Sequence, residues 1–153
     1  MKRSGKQVAL AVLLVGTLGS GANAADRKFY LSQDVFKGDQ ALTACAKGYH
    51  MASLWEIFNV STLTYDTKLG ASLEDSGGGP PVVAGWIRTG FLSATSTPGE
   101  ANCRVWTSSA SGDEGTVVNL PATWQSASNV LSPWQASVVQ CANETRVWCV
   151  QGR

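Results

Sequence analysis

Four cysteines, all placed after what reads as a cleavable export signal, constrain this chain more than any other feature. Residues 1–24 open with Lys2, Arg3 and Lys6, continue through an apolar run of about a dozen residues and end in Ala22-Asn23-Ala24, the small-residue pattern at which a signal peptidase cuts. The pattern predicts a bacterial-style leader cleaved after Ala24. The mature chain, residues 25–153, is then expected in the periplasm or outside the cell. The apolar run is too short to span a bilayer, and no later segment reaches the roughly 18 apolar residues a transmembrane helix needs. Cys45, Cys103, Cys141 and Cys149 all fall in the mature part. An even number of cysteines in an oxidising compartment predicts two disulfides.

Metal ligation is the competing use of cysteine, and the spacing opposes it. Zinc ligands come in close pairs such as Cys-x-x-Cys, whereas here the gaps are 58, 38 and 8 residues and His50 is the only histidine. No metal or cofactor is expected, and the absence of Cys-x-x-Cys also removes a thioredoxin-like redox role. Four cysteines admit three pairings, and composition does not choose among them. Removing the leader takes three of the twelve basic residues and none of the eleven acids, which leaves a net charge of about −2. With no basic cluster to follow a phosphate backbone, nucleic acid is excluded as a partner class.

Along the mature chain the residues predict a strand in "RKFYLSQ", then two short helices. Asp39 is placed to cap the first, which carries Leu42 and Cys45 inward and ends at Gly48 in a left-handed turn. Ser53-Leu54-Trp55-Glu56 has the form of a capping box and predicts the start of the second. After the turn-rich "EDSGGGPP" break, "VVAGWIRTGFL", "CRVWTS", "ASVVQC" and "TRVWCVQ" have strand composition. "SASGDEG" and "LPATWQSASNVLSPW" read as loop. The expectation is one α+β domain over residues 25–153, with two helices near the N-terminus packed on short antiparallel strands joined by long loops.

The order of these segments resembles the C-type lectin-like domain family. The resemblance is carried by Cys45, by Gly48-Tyr49-His50-Met51-Ala52-Ser53-Leu54, by Gly85-Trp86-Ile87, by Cys103 after a long loop, and by Cys141 and Cys149 around Val147-Trp148-Cys149-Val150. The "CRVWTSS" and "CANETRVWCVQ" segments are most similar to the endostatin-like branch and to exported bacterial proteins that share it. The resemblance implies the pairing Cys45 with Cys149 and Cys103 with Cys141. The calcium-binding triplets of sugar-binding members are missing: Pro98-Gly99-Glu100 has the wrong order, and Ser132-Pro133-Trp134-Gln135 offers no carboxylate. Calcium prefers six to eight oxygen ligands, several of them carboxylates.

The candidate ligand-binding residues are Trp124 and Trp134, whose rings lie in loop-like sequence and either stack on a sugar or anchor a protein contact at the surface or else join the core, and the adjacent acids Asp113 and Glu114, which either meet a ligand or are simply solvated. Trp86, Trp106 and Trp148 are expected in the core. His50 can serve as a general base, but the resemblance implies a framework position, and no motif places a serine or cysteine nucleophile beside it. The function expected is an exported non-catalytic binding module that contacts a protein or glycan, without calcium, through loops near 91–102 and 107–138. The alternative is a small exported enzyme or enzyme inhibitor using the same loops. The sequence leaves the oligomeric state open.

Overall fold

In the computed structural model, which describes residues 26–72, 77–89, 101–120 and 134–152, the last strand organises the others. β7 (Arg146–Gln151) is flanked on one side by the antiparallel β1 (Arg27–Leu31), with Tyr30 opposite Cys149. On its other side β2 (Tyr49–Met51) runs antiparallel to its C-terminal half, and β4 (Gly85–Trp86) runs parallel to Arg146 and Val147. β3 (Leu63–Tyr65) adds to β1 in parallel, and β5 (Glu114–Asn119) and β6 (Gln135–Gln140) extend the sheet beyond β4 in antiparallel pairs. The result is a mixed seven-stranded sheet with a few short helices, an α+β arrangement. The expectation of purely antiparallel strands is corrected by the two parallel pairs, β1 with β3 and β4 with β7.

Both faces of the central strands are buried, which explains why they read as apolar runs. Alternate residues divide between two core clusters. Tyr30, Trp86, Val117, Val147 and Cys149 face one side, where Ala41, Cys103 and Trp106 cover them. Phe29, Leu31, Ile87, Val118, Trp148 and Val150 face the other, covered by Ile57 and Trp134. The backbone of β4 and β5 runs close against these rings. A Cβ on Gly85 would collide with Leu31 and Trp148, and one on Gly115 would meet Cys103 Sγ and the Trp86 ring. Both disulfides form, Cys45 to Cys149 and Cys103 to Cys141, the pairing the resemblance implies.

The helices depart from expectation in instructive ways. The first is a 3-10 helix over Gly38–Thr43 capped by Lys37, with Asp39 inside its first turn. At three residues per turn, Gly38 and Ala41 share the buried side, so Leu42 turns outward and Cys45 falls beyond the helix end. Gly48 is left-handed as expected (φ +87°), but it serves the turn into β2. α1 (Leu54–Ile57) starts at Ser53 with the predicted capping box and lasts a single turn. "CRVW", read as strand, is instead α2 (Cys103–Trp106), a left-handed helical turn with φ between 51° and 61°. Left-handed geometry costs about 1–2 kcal/mol per residue, so tertiary contacts must impose it. Here Cys103 is bonded to Cys141, the Trp106 ring is buried against Trp86, and Asn102 Oδ1 accepts a hydrogen bond from Val105 N at 2.9 Å. Within the region near 107–138 expected to carry the loops, β5 is an addition, β6 is the strand expected in "ASVVQC", and residues 121–133 lie outside the described residues.

Candidate functional site

Arg27, His50 and Ser53 converge on one carboxylate, that of Glu56. As the third residue of α1, Glu56 reaches back to its cap, and Oε2 accepts from Ser53 N and Ser53 Oγ, both at 3.0 Å. Oε1 accepts from Arg27 Nη2 at 3.2 Å and meets His50 Nε2 at 2.9 Å. Burial alone would raise the pKa of this carboxyl, but the hydrogen bonds from Ser53, His50 and Arg27 outweigh it and hold the group down at about 2. Every oxygen of Glu56 is thus occupied within the fold. Further bonds fix the turn: Leu54 N donates to Thr89 Oγ1 at 2.9 Å, Ala52 N to Trp148 O at 2.8 Å, and Ile57 is fully buried.

This pinned turn displays aromatic surface. Trp55 is 78% exposed and Phe58, immediately after the helix, is 51% exposed. Neither was singled out from the sequence. The signal was present in the capping box, because with Ser53 and Glu56 fixed at the cap and Ile57 turned into the core, Trp55 is left on the outward side of a single turn.

The residues proposed from sequence are not brought together. Trp124 lies outside the described residues. Trp134 is a core residue, which corrects its candidacy as a surface ring: it is buried, edge-on to Trp148 with ring centroids 4.9 Å apart, and it closes the second core cluster just before β6. Asp113 accepts from Arg104 Nε at 2.9 Å and from Ser108 Oγ. The hydrogen bonds from Ser108 and then Arg104 lower its pKa. Glu114 is exposed at the start of β5, in register with Gln140. Asp113 is therefore spent on bracing α2, and the two neighbouring acids do not act as a unit. Among the described residues no three His, Cys, Asp or Glu side chains gather as metal ligands. Nor is any described helix long and apolar enough to cross a membrane.

The chain matches no known family model, no curated protein and no solved structure.

Proposed function

We propose that the chain is an exported, non-catalytic binding module that recognises a protein partner, without calcium, through the face around α1 with Trp55 as its anchor. The observation that carries this is the exposure of Trp55 on a turn held rigid from both sides. A large aromatic side chain whose backbone is already fixed loses little conformational freedom on binding, which is the property of an interface hot spot. A protein is favoured over a glycan because stacking on sugar needs free hydrogen-bonding groups beside the ring. The nearest carboxylate, Glu56, is filled by Ser53, His50 and Arg27, and Asn59 Oδ1 accepts from Ser61 N and Oγ.

The enzymatic reading is weakened by the same geometry. Ser53 Oγ donates to Glu56 and not to His50, so this hydroxyl is not paired with the imidazole, and a carboxylate with a pKa of about 2 accepts protons poorly near neutrality. A C-type lectin-like scaffold belongs to the proposal as well. It is supported by the disulfide that ties the start of the domain to β7, by the inner bond from Cys103 to Cys141, and by the pairing of β1 with β7.

The proposal is tested by comparing wild type with Trp55→Ala and Phe58→Ala in capture from envelope extracts, followed by affinity measurement with the purified partner. Weaker binding of the same partner by both variants, at unchanged melting temperature, is the expected result. Equal binding by all three proteins would refute the proposal, and a partner that survives proteolysis but is lost on deglycosylation would replace it with glycan recognition.

A further inference from the structure

A cleft of about 340 Å³ opens where the end of β1 and the segment after it meet the residues following the first 3-10 helix and the turn after β3. This is the lower end of the size range of small-molecule sites, about 300–1,000 Å³. Its apolar wall includes Tyr30, Phe36, Ala46 and Leu69, and its polar edge includes Asp34 and Lys68.

The walls are fixed. Tyr30 Oη accepts from Ala46 N at 2.7 Å, and Phe36 exchanges both backbone hydrogen bonds with Thr145 at 2.8 and 3.0 Å. Arg146 Nη1 donates to the carbonyls of Ser32, at 2.7 Å, and Gln33, bracing the segment that carries Asp34. The two charges contrast with this order. The ion pairs among the described residues join Arg27 and His50 to Glu56, Lys28 to Asp66 and Arg104 to Asp113. Neither the Asp34 carboxylate nor the Lys68 ammonium is bonded to any described residue, and they do not pair with each other although both border the same cleft.

We infer that this cleft binds a small zwitterion with an apolar body, of amino-acid to dipeptide size, whose ammonium meets Asp34 and whose carboxylate meets Lys68 while its side chain lies against Phe36 and Leu69. One charge of each sign, unpaired among the described residues, on a preformed cleft that is about half apolar is complementary to a ligand carrying both signs and an apolar body, and mismatched to one carrying a single sign. The site is separate from the α1 face: Tyr30, Phe36 and Ala46 pack with the first core cluster, whereas α1 packs with the second.

The test is titration of the mature protein by calorimetry and by backbone amide NMR with L-leucine and L-leucyl-L-leucine. N-acetyl-L-leucine and L-leucine methyl ester serve as single-charge controls. Saturable millimolar binding of a zwitterion is expected, with amide shifts centred on Phe36 and Leu69. Each single-charge control, and each of the exposed-charge variants Asp34→Asn and Lys68→Met, is expected to weaken it by about tenfold, the scale of one lost charge-assisted contact. Absence of saturable binding by either zwitterion would overturn the inference. So would equal binding of the acetylated or esterified probe, or zwitterion binding unchanged in both variants with melting temperatures intact.

Discussion

Cys45 and Cys149 stand 104 residues apart in sequence and 5.7 Å apart between Cα atoms, and their bond fastens the segment after the first 3-10 helix to the central strand of the sheet. Cys149 sits in β7 with Tyr30 opposite on one side and Met51 on the other, so one bond bears on three strands. Cys141, eight residues earlier, serves a different loop by joining Cys103.

Cys45→Ser is expected to lower stability by ~2–5 kcal/mol, the usual loss for a native disulfide in a small disulfide-bonded domain. Chemical denaturation of oxidised wild type and variant measures it, and coincident midpoints would contradict the role given to this bond.

Val105→Gly is expected to stabilise the protein. Val105 is 70% exposed, so little burial is lost, yet it holds φ +60°, where a β-branched side chain is strained. Glycine adopts this region freely, and the gain is about 1 kcal/mol after its own entropy cost in the unfolded chain. Val105→Ala, which keeps the Cβ, is expected to recover little of it.

Acid is expected to erode stability through Glu56. Its pKa lies at about 2 in the fold, against an ordinary value of 4.5, so the folded state favours the ionised form. The contribution is complete above pH 4.5 and is lost progressively as pH falls toward 2. Glu56→Gln removes this part of the dependence: the melting temperatures of wild type and variant converge on acidification, whereas parallel curves would show that the carboxylate is not held as described.

The two tryptophans of interest separate core from surface. Trp134→Ala is expected to cost about 3–5 kcal/mol, as for a large ring removed from a packed core. Trp55→Ala is expected to stay within about 0.5 kcal/mol of wild type, as for an exposed position. Denaturant midpoints of the two variants give the comparison.

Calcium is expected to leave the protein unchanged. Asp113 is occupied by Arg104 and Ser108, and Glu114 has no second carboxylate directed with it, far short of the several that calcium coordination needs. Melting curves in chelator and in millimolar calcium are expected to superimpose; a clear rise with calcium would reveal a site.

Much of this arrangement was legible in the sequence because it rests on local chemistry. The Ser53–Glu56 capping box needs only residues three apart, and β1, β6 and β7 declare themselves by composition. What was not legible depends on contacts distant in sequence. "CRVW" has the aromatic and β-branched content of a strand, and its left-handed turn exists because Cys103 is bonded to Cys141 and Trp106 is packed on Trp86. β5 follows directly on the Gly112-Asp113 turn, and its first two residues fall in the loop-like "SASGDEG", so its full extent shows only in its pairing with β4 and β6. Trp134 sits in loop-like sequence yet is buried because it packs T-shaped against Trp148 within the second core cluster. Trp55 is outward because α1 lasts a single turn with Glu56 at the cap and Ile57 in the core, a helix length that the capping box alone does not set.

The central claim is that recognition runs through Trp55. The most direct measurement is the affinity of the purified partner for wild type, Trp55→Ala and the conservative Trp55→Phe, with folding checked by melting temperature. The account predicts a loss of at least about tenfold in Trp55→Ala, the truncation cost of an anchoring aromatic, and partial recovery in Trp55→Phe. Undiminished affinity in a folded Trp55→Ala protein would contradict it.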